Sequence, residues 1–265
     1  MIQKTSRIPA IWVLGVVFSA CATRTFAPPT DPGAPFPDLA QTESQVFRHC
    51  TGVRTLQAEL RLSGRAGRQS LGGRVHAGFD RPASMRLEGV APFGAPIFIL
   101  VTRGESATLL LPRDARVVRG RPEAILGALT GVSLAPADLL AILTGCVIPS
   151  PRASAGRVHG NGVASLDLAG GATIFLRRPA SVWLPVAARR DGWTIEYPAM
   201  QGSFPAAVRL RSSGAGPAVE MTATLSQIEA NTDLATEAFD VEVPPGTATM
   251  TVEELRDAGP LRGAQ

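Results

Sequence analysis

The sequence predicts a mainly β protein, in which two short apolar helices lie over an open antiparallel sheet. Apolar and polar residues alternate with a period of two in segments such as 55–63, 74–79 and 85–89, which is typical of half-buried strands. The 27 glycines and 22 prolines together supply 49 of the 265 residues, so turns are frequent and strands are short. Hydrophobic residues make up 45% of the chain, which is enough for a large core.

The first 20 residues have the pattern of a secretory signal. Lys4 and Arg7 precede an apolar run, residues 8–20, that is too short to cross a bilayer core of about 30 Å as a helix. Ser19 and Ala20 come directly before Cys21, which resembles the bacterial lipobox, where the cysteine is acylated and the signal is cut before it. The alternatives are an ordinary signal with an incidental cysteine and an uncleaved anchor.

The residues after Cys21 predict the final membrane and a tether. Ala22 stands where enterobacterial lipoproteins of the inner membrane carry Asp, so the resemblance implies the outer membrane, with the protein facing the periplasm. Residues 26–38 hold five prolines and favour an extended, semi-rigid polyproline segment. We therefore expect a signal at 1–20, a lipidated tether at 21–38, a folded domain at 39–246 and a mobile tail at 247–265.

The folded domain begins with a helix and a meander of strands. Apolar residues at helical spacing predict a helix over 39–53, and the alternating segments named above follow it. Residues 97–101 and 109–111 are apolar on both faces, so a lid or a ligand has to cover each face.

Two apolar helices then interrupt the strands. Pro122 and Pro136 mark their starts, and Gly131 and Gly145 mark their ends, which predicts a lid over the sheet. Strands resume at 163–168, 173–176, 182–187, 193–197, 207–210 and 219–228.

The sequence contains no local motif for catalysis, cofactor binding or metal binding. Sequence patterns for zinc sites, nucleophile elbows and phosphate loops are absent, and His49, His76 and His159 lie on different elements. We therefore expect no catalytic residues, no metal and no cofactor, and a hydrolase has no motif behind it. The formal charge is +4, and removal of Lys4 and Arg7 with the signal leaves +2, so a nucleic-acid surface is not expected.

Cys50 and Cys146 are the two cysteines of the folded domain. Each ends an apolar helical segment, and the periplasm is oxidising, so a disulfide between them is predicted. The alternative is two buried free thiols.

The order of these elements resembles the LolA/LolB family of periplasmic lipoprotein carriers, and most of all its outer-membrane receptor branch, LolB. The matching pieces extend over about 160 residues, from Arg48 to Leu210. They are Arg48 and His49, Gly64 and Arg65, Arg86 and Leu87 before the run 91–94 (Ala-Pro-Phe-Gly), the run 129–131 (Leu-Thr-Gly) with Leu134, Leu139 with Gly145, and residues 193–197.

The resemblance implies a half-open antiparallel β-barrel of about eleven strands, closed by helices, whose concave face accepts acyl chains. It requires no cofactor. The alternative for each of the residues expected around the cavity is plain core packing. These residues are Leu60, Leu62, Met85, Leu87, Ile97, Ile99, Leu109, Leu111, Ile125, Leu129, Leu139 and Leu143.

In LolB the loop that corresponds to residues 92–94 carries an exposed apolar residue that enters the membrane. Here that residue is Phe93, held between two turn formers; the alternative is a ring folded back onto the core. Two features depart from the pattern. The Cys50 and Cys146 pair is not typical of LolB, and residues 231–246 resemble the closing strand of LolA-like proteins.

Two functions follow as hypotheses. The first is a monomeric lipoprotein that takes acyl chains of lipoproteins or other lipids, with a LolA-like periplasmic carrier as partner, and transfers them to the outer membrane. The second is an envelope scaffold or interaction protein with the same fold and a filled barrel. A continuous cavity would favour the first, and a barrel packed solid by its own side chains the second.

Overall fold

A single sheet of 15 strands organises the computed structural model, which describes residues 25–91, 93, 96–212 and 218–259. The signal expected at 1–20, the expected acylation site Cys21, and Pro92 and Gly94 lie outside the described residues. Among those that the structure describes, no helix is long and apolar enough to cross a membrane. The strands are β1 Ala34–Pro35, β2 Thr55–Ala66, β3 Gln69–Asp80, β4 Ser84–Val90, β5 Ile99–Arg103, β6 Ser106–Leu111, β7 Arg116–Gly120, β8 Ala153–Val158, β9 Val163–Leu168, β10 Thr173–Arg177, β11 Leu184–Arg190, β12 Trp193–Gln201, β13 Phe204–Ser212, β14 Val219–Ala230 and β15 Ala248–Thr249.

In the described ranges, four α-helices and two 3-10 turns accompany the sheet. They are α1 Leu39–Gly52, α2 Pro122–Thr130, α3 Pro136–Leu143 and α4 Val252–Ala258, with 3-10 turns at Pro112–Asp114 and Thr236–Phe239.

The strand order is β1-β8-β9-β10-β11-β12-β13-β14-β2-β3-β4-β5-β6-β7-β15, and every pair is antiparallel except β7 with β15. The outermost strands β1 and β15 do not pair with each other, so the sheet stays open. The predicted fold class, a mainly β open sheet with short helices, is confirmed. The number of strands is 15 rather than about eleven, partly because the two edge strands are only two residues long.

The alternating strand directions place several strand ends at one end of the sheet, which we call the upper rim. Ala66 pairs with Val219, Arg74 pairs with Val90, and Trp193 pairs with Ser212. The opposite end, where β2 begins at Thr55, is the lower rim.

The two lid helices lie against the concave face of the sheet. Proline at the first position of α2 and of α3 fixes each start, as predicted from the sequence. Gly131 ends α2 with φ 76°, and a Cβ atom there would lie 3.1 Å from the Cβ of Ala66. The turn between the lid helices therefore meets the upper rim closely, at a position that favours glycine.

Cys50 and Cys146 form a disulfide, with a Cα–Cα distance of 5.7 Å across a sequence separation of 96 residues. Both residues are fully buried. The bond joins the last turn of α1 to the segment just after α3, so one end of the lid is covalently fixed.

The tail expected to be mobile from residue 247 is ordered as far as Gly259. Ala248 and Thr249 pair with β7, and Leu255 of α4 is fully buried against the core. A capping box between Thr251 and Glu254 starts α4, and its pattern of Thr followed three residues later by Glu is present in the sequence. The expectation was therefore wrong for residues 247–259, whereas residues 260–265 lie outside the described part.

Residues 231–246 also differ from the expected closing strand. They cross the outer face of β4 and β5, where Arg86 donates to the carbonyl oxygens of Ala238 and Asp240 and Arg103 donates to Thr236 O. Phe239 is buried in that contact. Residues 231–246 therefore cover the outer face of β5, which lies in the segment 97–101 that is apolar on both faces.

The proline-rich segment does not stand free from Thr25 onward. The Phe26 ring lies 5.1 Å from the Phe175 ring on the outer face of β10, and Phe36 packs against Trp183 at 5.5 Å. The expected tether is therefore docked on the sheet over residues 25–38, because burying two large aromatic rings stabilises this arrangement.

Replacement of both Cys50 and Cys146 by Ser should lower the free energy of unfolding by about 4 kcal/mol, because the bond closes a long loop in the unfolded chain. Urea unfolding of the oxidised protein and of the double variant measures the difference. Equal urea midpoints for the oxidised and the reduced wild-type protein would show that the bond does not stabilise the fold.

Candidate functional site

An almost wholly apolar cavity lies between the concave face of the sheet and the two lid helices, and its volume is about 80 Å³. The sheet contributes Leu60, Leu62, Val75, Leu87, Phe98, Val208, Leu210, Met221 and Ala223, and the lid contributes Leu126, Leu129, Thr130, Val132, Leu134, Leu139, Ile142 and Leu143.

The strand register explains how the sheet side becomes apolar. Leu60 pairs with Val75 on one side and with Leu225 on the other, and Leu62 pairs with Ala223. Because side chains of paired residues point to the same face, the alternating apolar residues of adjacent strands form one continuous surface.

Thr130 is the single polar side chain among the lining residues. Its hydroxyl donates to Leu126 O at 2.8 Å, so its hydrogen-bonding need is met within α2. The cavity wall therefore offers no charge and no free polar group to a ligand, and it suits hydrocarbon alone.

The cavity reaches the surface beside the turn that joins the lid helices. Leu62, Leu134, Leu139 and Leu210 are only partly buried, whereas Leu60 and Leu143 are buried. Leu134 follows Gly131, which lies against Ala66, so the exposed side of the cavity is at the upper rim.

The two ends of α3 are held differently. Beyond its C-terminal end, Cys146 is bonded to Cys50. Near its N-terminal end, Asp138 accepts a hydrogen bond from Arg190 of β11 at 2.8 Å, and Arg190 also donates to Val147 O at 3.2 Å. Desolvation lowers the pKa of Arg190, but the hydrogen bond and charge of Asp138 outweigh it, so the net shift is upward and the guanidinium stays charged.

Six of the twelve residues expected around the cavity line it: Leu60, Leu62, Leu87, Leu129, Leu139 and Leu143. Met85, Leu109, Leu111 and Ile125 are instead fully buried core residues outside the lining. The prediction that these four residues line the cavity was wrong. They point inward, but near the lower rim and behind α2 they pack against other side chains and not against a void.

Ile97 and Ile99 were also misplaced. Ile97 packs against the core without lining the cavity, and Ile99 pairs with Glu88 and lies on the outer face. The regular strand begins only at Ile99, so Phe98 and Leu100 are the buried residues. A segment apolar at every position gives no signal of which residues point inward.

The cavity residues that were not predicted from the sequence include Phe98, together with Val208 and Leu210 of β13 and Met221 and Ala223 of β14. Both strands were predicted, and their alternation was visible. What was missing was the pairing of β14 with β2, a contact between segments about 160 residues apart.

Phe93 is 89% exposed and is not folded back onto the core. Arg113, in the 3-10 turn after β6, donates to Phe93 O at 3.1 Å and holds the backbone at that point. Because β4 ends at Val90, the ring projects from the upper rim.

The histidines do not gather into a site. His49 Nε2 lies 2.9 Å from Thr144 O and next to both cysteine sulfurs, but the disulfide removes the thiolates that a metal would bind. His76 lies 3.8 Å from Glu59, and His159 contacts Ser165 and Asp31.

Neither a comparison with protein-family models nor one with curated proteins finds a match. Among solved structures, a DUF1329 family protein from Desulfovibrio piger is similar at TM-score 0.49 and 11% identity, over 76% of this chain and 97% of that one. A LolA superfamily protein from Nitrosomonas europaea has the same TM-score and identity, over 76% and 98%. A putative outer membrane lipoprotein-sorting protein domain from Vibrio parahaemolyticus scores 0.46 at 12% identity, over 74% and 94%.

Replacement of Asp138 by Asn should loosen α3, because Arg190 loses its charged partner in a half-buried position. We expect a local cost of about 1–2 kcal/mol, and therefore roughly tenfold faster amide hydrogen exchange in α3 than in the wild type. Asp240→Asn, which breaks an exposed ion pair with Arg103 on the outer face, is the matched control. Unchanged exchange in α3 would show that the Arg190 contact does not hold the lid.

Proposed function

We propose that this protein is an acyl-chain-binding lipoprotein of the cell envelope, anchored through acylated Cys21, and that it takes part in transfer of lipoproteins or other lipids to the outer membrane. The observation that carries the proposal is the cavity between the sheet and the lid, whose lining is apolar except for one internally bonded hydroxyl. Each methylene group buried there would contribute about 0.8 kcal/mol.

Binding requires movement of the lid. A volume of about 80 Å³ is well below the roughly 300–1,000 Å³ of ordinary ligand pockets. We propose that α3 swings outward about its disulfide-bonded end after the Arg190–Asp138 contact opens. The helix α2 stays in place, since α4 packs behind it and Leu255 is fully buried there.

The opening is feasible because the leucines of α3 would exchange their contacts with the sheet for contacts with the entering hydrocarbon chain. In the closed state Leu139 and Leu143 of α3 lie against apolar residues of the sheet. An entering hydrocarbon chain would contact both surfaces, so the apolar area exposed by the movement is covered again. No covalent step and no cofactor takes part.

Native mass spectrometry with lipid extraction tests the proposal. The sample is the chain from Thr25 onward, produced in a periplasm without Cys21; it holds every strand of the sheet and the core around the cavity. We expect co-purified acyl lipid, and uptake of an added palmitoylated peptide by lipid-free protein. Leu139→Glu should abolish both, because a carboxylate in the apolar cavity is not compensated.

Ile99→Glu provides the matched control. It replaces a partly buried apolar residue by the same carboxylate, but on the outer face, away from the cavity, so lipid uptake should persist. Equal loss in both variants would point to unfolding, and equal retention would contradict binding in this cavity.

The small cavity favours a second candidate, a scaffold or interaction lipoprotein with a filled barrel. A wild-type chain that is free of lipid and does not take up the palmitoylated peptide would overturn the carrier proposal and support this one.

Phe93 would enter the membrane during transfer. Burial of a phenylalanine side chain contributes about 2 kcal/mol, so Phe93→Asp should weaken partitioning onto neutral phosphatidylcholine vesicles roughly 30-fold. Val182→Asp is the control, since Val182 is the other exposed large apolar residue in the described part of the chain. Unaltered partitioning of the Phe93 variant would remove this residue from the proposed mechanism.

A further inference from the structure

Four arginines lie at the upper rim on the outer face of the β2–β3 hairpin. Arg61 and Arg65 belong to β2, Arg74 belongs to β3, and Arg68 lies in the turn between the strands. All four are exposed, and none makes an ion pair or a side-chain hydrogen bond with a residue that the structure describes. We call these four residues the arginine surface.

Their arrangement disfavours the fold. Arg61 pairs directly with Arg74 across the two strands, and like charges in such a pair repel each other. The outer neighbours in register are Thr224 beside Arg61 and Val90 beside Arg74, so no acid stands opposite either guanidinium on the adjacent strands. A local repulsion of this kind is what a site for an external anion would show.

Acidic groups nearby do not neutralise this surface. Glu220 stands opposite Arg65 in the register but forms no ion pair with it, and Glu59 lies 3.8 Å from His76. The segments that cover the outer face also leave this part bare. Residues 25–28 lie over β10 to β13, and residues 231–246 lie over β4 and β5.

We propose that the arginine surface docks the protein onto acidic phospholipid headgroups. Arginine binds phosphate through two parallel N–H donors, and several arginines together attract an anionic membrane. The surface adjoins an apolar group suited to the same partner, since Arg74 pairs with Val90 and Phe93 follows three residues later with its ring exposed.

The chain start points to the same membrane. Thr25 and Phe26 share a cleft with Arg211, which lies opposite Glu220 in the strand register, and Glu220 lies opposite Arg65 on the next strand. At most about 14 Å of extended chain separates Thr25 from Cys21. The position of Thr25 bears on the membrane only if Cys21 is acylated as proposed. The charge and the exposure of the arginine surface do not depend on that acylation.

The docking would also orient the cavity. The exposed side of the cavity lies at the upper rim, beside the turn after Gly131, so a membrane held by the arginine surface would face it. An acyl chain could then pass between bilayer and cavity without crossing water.

Vesicle co-sedimentation tests the proposal with the chain from Thr25 onward. Wild-type protein should bind vesicles that contain phosphatidylglycerol more tightly than vesicles of phosphatidylcholine alone, and added salt should weaken the difference. Since one basic residue near an anionic surface contributes about fivefold in affinity, combined Arg61→Gln, Arg65→Gln and Arg74→Gln should reduce binding on the order of 100-fold.

The matched control changes three exposed arginines elsewhere: Arg48→Gln, Arg119→Gln and Arg177→Gln. It removes the same charge from the last part of α1 and from the lower ends of β7 and β10. Binding within about twofold of wild type is expected, because these side chains lie away from the rim.

Three outcomes would overturn the proposal. They are equal binding of wild type to both vesicle types, equal loss in both triple variants, and binding of the wild type only to an acidic protein. Thermal unfolding checks that the substituted rim is folded, and removal of the Arg61–Arg74 repulsion should keep or raise the Tm. Vesicle docking does not require lipid uptake. A negative vesicle result would therefore leave the palmitoylated-peptide result unaffected, and a negative peptide result would leave the vesicle result unaffected.

Discussion

The need to cover both faces of one open apolar sheet governs this structure. On the concave face, α2 and α3 lie against leucines of β2, β4 and β13. On the outer face, residues 231–246 and the proline-rich segment cover opposite halves. Each cover is attached by its own device, namely a disulfide for α3, arginine hydrogen bonds for residues 231–246, and aromatic contacts for Phe26. Burial is the common driving force, and the devices fix where each cover lies.

The sequence predicted those elements whose signals are local. Alternation revealed most strands, Pro122 and Pro136 marked the starts of the lid helices, and the compartment together with helix ends suggested the disulfide partners. Segments apolar at every position carried no such information. Ile99 was therefore assigned to the wrong face, and the outer cover that makes such a segment possible came from a part of the chain far away in sequence.

Cavity lining was harder to predict than burial. Leu60 and Leu109 have the same side chain and both point inward, yet only Leu60 lies beside the void. The difference depends on how far the lid helices extend along the sheet. The close contact of Gly131 with Ala66 fixes one end of the lid, and the disulfide beyond α3 fixes the other. These are contacts between distant segments, so neither periodicity nor composition encodes them.

The covalent attachment of α3 has a geometric consequence. A helix of eight residues is about 12 Å long, and one of its ends cannot leave α1 while the disulfide is intact. In the proposed opening, the lid would therefore act as a flap of fixed length, and the gap beneath it would be widest at the upper rim and narrowest at Cys146. A hydrocarbon guest in that gap would be held by its tip, and any part longer than the flap would stay outside, where a second protein or a bilayer could bind it.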